Sequence, residues 1–215
     1  DMDMRQIEPA ELRSHMGYVG QEPQLFMGTL RENLVLSDTW LSDALLIKVL
    51  QKLDLYGLVI AHPRGLDMPL SEAGGGLSGG QRQLIAIARM MLRDPVFVFM
   101  DEPTSLMDQK TEAKVIEVLG PWLQGKTLIL ATHRLQLLQW VNRIALLERG
   151  SLVAEGPKDI MLKHLGTGIP VKAPTHKTVH ARKSKVESSP APAVHPVPVT
   201  ESDASGVYNY VEDRS

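Results

Sequence analysis

Cysteine is absent from this 215-residue sequence, so no disulfide framework and no thiolate metal site can form, and nothing marks an oxidising compartment. No uninterrupted apolar run exceeds five residues, the length of Val96–Met100, whereas a membrane-crossing helix needs roughly 20. Any membrane connection is therefore expected to come through a partner. Aromatic residues make up only 5%, and 23 Lys and Arg against 25 Asp and Glu leave a net charge of −2, which offers no electrostatic reason to expect nucleic acid. The opening Asp1-Met2-Asp3-Met4-Arg5 lacks the basic flank and apolar core of a secretory signal. What is present, 43% apolar and 22% charged residues, is the composition of an ordinary soluble globular protein, with length for one domain or a domain and a half.

The composition changes near Leu165. From Gly166 onward there are 6 of the 14 prolines and no Leu, Phe or Trp, so this segment buries too little apolar surface to offset its ordering entropy. A disordered tail is expected over 166–215. Within it Lys172, Lys177, Arg182, Lys183 and Lys185 form an acid-free stretch, read as a solvated tail rather than a recognition motif.

The body shows two kinds of periodicity. Leu41, Leu45, Leu46, Val49, Leu50 and Leu53 recur at helical spacing behind a cap-like Ser37-Asp38-Thr39 cluster, and a Gly- and Pro-rich loop is expected to follow. Leu84, Ile85, Ala88, Met91 and Leu92 make a second helical face, opened by Ser78 and Gln81 in the form of a capping box. Val96–Met100 reads as a strand buried on both faces of a parallel sheet. A helix over 109–119, a strand over 127–131, a short helix after Thr132 and strands at 143–147 and 152–154 complete an α/β alternation.

In such sheets ligands gather at the carboxyl ends of the strands, where this sequence places Asp101 and Glu102. A carboxylate there can hold Mg²⁺, and a neighbour can orient or deprotonate an attacking water. A pair of acids is weak evidence alone. Twenty residues earlier, Leu77-Ser78-Gly79-Gly80-Gln81 opens a helix with glycines that admit close backbone approach, a hydroxyl, and unpaired N–H groups at the positive end of the dipole. Those are the requirements of a phosphate site, and with Arg82-Gln83 the pattern is highly specific.

This segment resembles the signature motif of the nucleotide-binding domains of ATP-binding cassette (ABC) transporters. The resemblance implies a P-loop NTPase-like parallel sheet core with an inserted helical subdomain, and covers about residues 2–165. It implies that Ser78, Gly79, Gly80 and Gln81 close over ATP held by a second nucleotide-binding domain, that Asp101 and Gln21 serve Mg²⁺, and that Glu102 is the catalytic carboxylate. His133 is similar to the family's switch histidine, and Gln21, in Gly17–Phe26, to the Q-loop glutamine that also senses the transmembrane domain. Ser105-Leu106-Met107-Asp108 is similar to the D-loop, with Asp108 at the nucleotide and Met107 departing from the usual small residue. Phe26–Leu34 and Glu72–Gly76 resemble exporters, and Gly65–Glu72 resembles type I secretion exporters in particular. A place on the cytoplasmic face of the inner or plasma membrane, peripheral through the transmembrane partner, follows from the same likeness.

Every such ATPase needs a P-loop, Gly-x-x-x-x-Gly-Lys-[Ser/Thr], between a strand and the following helix. The literal match Gly120–Thr127 has the reverse context, a helix before and a strand after, and Pro121-Trp122 would crowd a phosphate. It is rejected as a decoy. Asp3–Ile7 resembles the segment that follows the P-loop helix and its next strand, so the P-loop and adenine-stacking aromatic are expected before Asp1 and the domain is expected to be incomplete at its N-terminus. An ATPase module inactive by itself is then expected, the alternative being a non-catalytic module that supplies its signature to a partner's ATP site.

Overall fold

The computed structural model describes residues 4–36 and 40–167, which fall within one unit of the fold. The expected cap at Ser37-Asp38-Thr39 and nearly all of the expected 166–215 tail lie outside the described residues. A short helix α1 (Pro9–Ser14) leads into strand β1 (Met16–Val19). Next come β2 (Gly28–Thr29), α2 (Leu30–Val35), α3 (Asp43–Lys52), α4 (Tyr56–Ala61) and β3 (Pro69–Leu70). The long helix α5 (Gly79–Arg93) precedes β4 (Phe97–Asp101), α6 (Gln109–Trp122) and β5 (Thr127–Ala131). A 3-10 helix (Leu135–Trp140), a hairpin of β6 (Arg143–Glu148) and β7 (Ser151–Pro157), and α7 (Lys158–Thr167) follow.

Local chemistry sets the element boundaries. The α5 start is a full capping box: Gln81 N donates to Ser78 Oγ at 3.1 Å and Ser78 N donates to Gln81 Oε1 at 2.8 Å. It stops at Asp94, which takes a left-handed φ of 48° and donates its N–H to Met90 O, with Pro95 barring continuation. Helix α3 starts on Ser42, not on the upstream Ser/Asp/Thr cluster, because Ser42 stands directly before the first helical turn and accepts from Leu45 N. Arg149 and Gly150, with φ of 49° and 76°, turn β6 into β7 as a two-residue primed turn suits right-twisted strands.

β4 is the central strand of a parallel sheet ordered β1-β4-β5, paired from Met16↔Phe97 to Val19↔Met100 on one side and from Phe97↔Thr127 to Asp101↔Ala131 on the other. One face is covered. Val19, Val98 and Met100 there are buried in a common core with Ile85, Ile87 and Ala88 of α5 and Val115 and Leu119 of α6. The opposite face carries the row Tyr18, Phe99 and Ile129, with Tyr18 70% and Ile129 58% exposed. The expectation of a strand buried on both faces is therefore corrected: among the described residues this second face stays partly or largely exposed. Leu45, expected on the buried stripe of α3, is likewise 37% exposed.

Helix α5 packs on β1, α2 and α3, and so ties the sheet to the helical subdomain. Within that subdomain the Arg31 guanidinium bridges Asp43 and, at 2.8 Å, Asp67. Its hydrogen bonds to Asp43 and then Asp67 hold its pKa above the ordinary arginine value. The expected loop after Leu53 contains α4, which the residue pattern missed because six residues show less than two turns of period.

Candidate functional site

The β4 strand delivers Asp101 and Glu102 to its carboxyl end, and the backbone turns sharply there. Glu102 adopts φ of 46°, a left-handed conformation that costs a non-glycine residue about 1–3 kcal/mol and persists only where its surroundings enforce it. Glu102 N donates to Ala131 O at 2.9 Å, while Glu102 O accepts from Gln83 Nε2 at 3.0 Å and Ser105 N at 3.1 Å. The carboxylate then turns toward β5: Oε1 accepts from His133 N at 2.7 Å and lies 2.7 Å from His133 Nδ1, and Oε2 accepts from Thr132 Oγ1 at 3.2 Å. Glu102 is 15% exposed and His133 79%, so a sheltered carboxylate is joined to an imidazole open to solvent. A carboxylate and an imidazole so held can bind and move protons of a water delivered beside them.

Asp101 and Gln21 line one cavity together with Tyr18, Glu22 and Arg89. One carboxylate and one amide fit Mg²⁺ only in combination with phosphate oxygens and water, which is how that ion usually binds; among the described residues no group of three or more His, Asp or Glu could hold a metal by itself. Ser78, Gly79, Gly80, Gln81 and Asp108 line a different cavity with Leu106. The sequence-derived residues thus fall into two groups, Gln21, Asp101, Glu102 and His133 along the sheet edge and Ser78–Gln81 with Asp108 at the start of α5.

Asp108 caps α6, accepting from Thr111 N at 2.8 Å and Thr111 Oγ1 at 3.1 Å. Those bonds, the backbone one foremost, hold its carboxyl below the usual aspartate value. The glycines admit the chain's own segment after β4: a Cβ on Gly79 would lie 3.3 Å from Leu106 Cβ, and one on Gly80 would lie 3.2 Å from Leu106 O. Met107, singled out in the sequence, is buried against Gly80, and the half-exposed Leu106 stands against both Gly79 and Gly80.

The Gly120–Thr127 pattern is no phosphate loop. Gly120, Pro121 and Trp122 finish α6, and Thr127 opens β5. Lys126 Nζ is engaged by Asp94 Oδ1 at 2.8 Å and Pro95 O at 2.9 Å, and lies 4.6 Å from the Trp122 ring centre. Lys126→Ala should therefore leave nucleotide affinity unchanged, as measured by equilibrium dialysis against ATP. Ser78→Ala should lose the helix cap, lowering stability by about 1 kcal/mol in a denaturant titration.

Three further groups take structural roles that the sequence reading did not assign. Gln83 is fully buried between α5 and the turn after β4. Glu112 on α6, buried, accepts from Thr104 Oγ1 at 2.7 Å and Arg134 at 2.8 Å, and Arg134 also donates to Ser105 O. Arg89 on α5 donates to Asn33 O, to Asn33 Oδ1 and to Gln24 O, and its guanidinium lies 4.9 Å from the Phe26 ring centre. Burial lowers its pKa to about 10, still charged at neutral pH. Their signal in the sequence was a charged or amide residue on an apolar helical face.

Residues 1–105 match the family model described as ABC transporter. The chain carries an ABC transporter ATP-binding domain. It is 35% identical over 76% of its length to the uncharacterized ABC transporter ATP-binding protein YfiC of Bacillus subtilis, and 41% identical over 72% to P-glycoprotein 14 of Caenorhabditis elegans. It is also 36% identical over 76% to the ABC multidrug transporter mdr1 of Aspergillus fumigatus. The chain spans only 27%, 12% and 12% of those proteins. A solved bacterial Atm1-family ABC exporter with ATP bound superposes on 76% of this chain, and 29% of its own, with a TM-score of 0.70 and 27% identity. No described helix is long and apolar enough to cross a membrane.

Proposed function

We propose that this ABC domain is the ATP-hydrolysing module of an exporter, working as one of two nucleotide-binding domains beneath a transmembrane partner at the cytoplasmic membrane face. The observation that carries the reading is Glu102, set at the sheet's carboxyl edge in a left-handed backbone with its carboxylate joined to His133 and Thr132. In this reading Glu102 accepts a proton from the water that attacks the γ-phosphate, and His133, largely exposed, orients the attacked group. Asp101 and Gln21 would hold Mg²⁺, which when bound neutralises charge on the phosphates. Ser78, Gly79, Gly80 and Gln81, with the helix N-terminus behind them, would contact ATP carried by the paired domain, and Asp108 would line the same joint. The exporter relatives support the transport role; the likeness of Gly65–Glu72 supports proteins or peptides as cargo.

The sequence holds one literal P-loop pattern, and its lysine is spent on Asp94, Pro95 and Trp122. The chain by itself should accordingly bind Mg-ATP weakly, with Kd above about 1 mM. Equilibrium dialysis with radiolabelled ATP checks this, and micromolar binding would contradict it. The alternative role, a module that only lends its signature to a partner's ATP, is favoured if the chain stimulates a complete partner while Glu102→Gln leaves that stimulation intact.

A further inference from the structure

The part of the signature helix that the proposed ATP contacts leave unused is Gln83. Its side chain is completely buried at the junction of α5 with the turn that carries Glu102. Nε2 donates to Glu102 O at 3.0 Å and reaches Ser105 Oγ at 3.4 Å, while Oε1 accepts from Leu106 N at 3.2 Å. One amide thus satisfies backbone groups on both sides of the turn. A buried amide in this position is costly to leave unpaired, so the turn and the helix hold each other in register.

The consequence concerns the conformation of Glu102. Its φ of 46° must be imposed by the surroundings, and the backbone bonds that impose it are Glu102 N to Ala131 O, Ser105 N to Glu102 O, and the Gln83 amide on the same carbonyl. Of these only Gln83 belongs to the signature helix. We propose that Gln83 is a positioning residue that sets the Glu102 backbone, and hence the Glu102–His133 contact, from the helix whose N-terminus carries Ser78–Gln81. The importance of that link for hydrolysis rests on the function proposed above; the link itself does not.

In an assembly where Ser78–Gln81 meets one nucleotide and Glu102 another, the same helix then governs both. A shift at the start of α5 is passed through about one turn of helix to the carbonyl of Glu102. No hydrogen-bonded intermediary beyond one side chain is needed.

The test uses the full chain without nucleotide, so it can fail independently of the ATPase reading. Backbone amide exchange and proton chemical shifts are measured for wild type, Gln83→Leu and Gln83→Glu, with Lys126→Ala as a control. In wild type the His133 amide, 2.7 Å from the Glu102 carboxylate, should resonate far downfield and exchange slowly. Gln83→Leu should raise exchange of both Leu106 and His133 amides at least about tenfold and move the His133 proton upfield, leaving Ile87 and Val98 unchanged. Gln83→Glu keeps an acceptor for Leu106 but loses the donor to Glu102, so it should release His133 while Leu106 stays protected. If the leucine variant does not fold, the glutamate variant decides. An unchanged His133 resonance in a folded variant, or exchange that rises equally at Ile87 and Val98, would overturn the proposal.

Discussion

Glu112→Ala should destabilise the chain by about 3 kcal/mol, near the lower end of what removing one partner of a buried ion pair costs. The lower end applies because Arg134, the charge left behind, retains a side-chain exposure of 25% whereas Glu112 has 5%. In a chain of this size that corresponds to a fall in Tm of roughly 6–12 °C. Thr104 loses its acceptor at the same time, and it is itself fully buried. Glu112→Gln, which keeps an oxygen for Thr104 and Arg134, should cost about half as much. Replacing Glu112 by Leu together with Arg134 by Met should recover only part of the loss, since no uncompensated charge remains but the buried Thr104 hydroxyl still lacks its acceptor. A Glu112→Ala Tm within two degrees of wild type by thermal denaturation would show that the pair does not brace the turn.

Glu102→Gln should produce the largest effect on chemistry. Joined in frame behind a P-loop-bearing segment from a relative, the chain should hydrolyse ATP, and Glu102→Gln should lower kcat by about 10²–10⁴ with KM within about twofold. Gln keeps the shape and an oxygen for the His133 N–H, so the fold should be unaffected. The loss is of proton acceptance alone. A kcat within threefold of wild type would remove Glu102 from the role of base and leave it as a structural anchor for the His133 segment.

Much of this site was legible because its signals are local. The Ser78/Gln81 capping box, the strand ending in Asp101-Glu102, and His133 just after a second strand all appear where the residue pattern places them, and strand β5 matches its expected bounds. The decoy at Gly120–Thr127 could be rejected from context because the order helix-then-strand is itself a sequence property, and the contacts of Lys126 give the physical reason. What the residues could not reveal is tertiary. The helical period of α5 does not say that Gln83 faces the turn after β4, nor does that of α6 say that Glu112 meets Arg134. The apolar run Val96–Met100 could not say which strand face its own helices would cover, so Phe97 is left 43% exposed beside the exposed Tyr18 and Ile129. In the segment after β4 residue type marks out Met107, but only packing reveals that Leu106 stands against Gly79.

The central claim, on which both the hydrolytic role and its alternative depend, is that this chain contributes a working signature to an ATP site shared with another ABC domain. The most direct measurement is the ATPase rate of a P-loop-bearing ABC domain, its own signature serine replaced by alanine, titrated with this chain. Stimulation of at least about tenfold by the wild-type chain, and none by Ser78→Ala, is the expected result. Complex formation detected by light scattering without any rise in ATP turnover would contradict it.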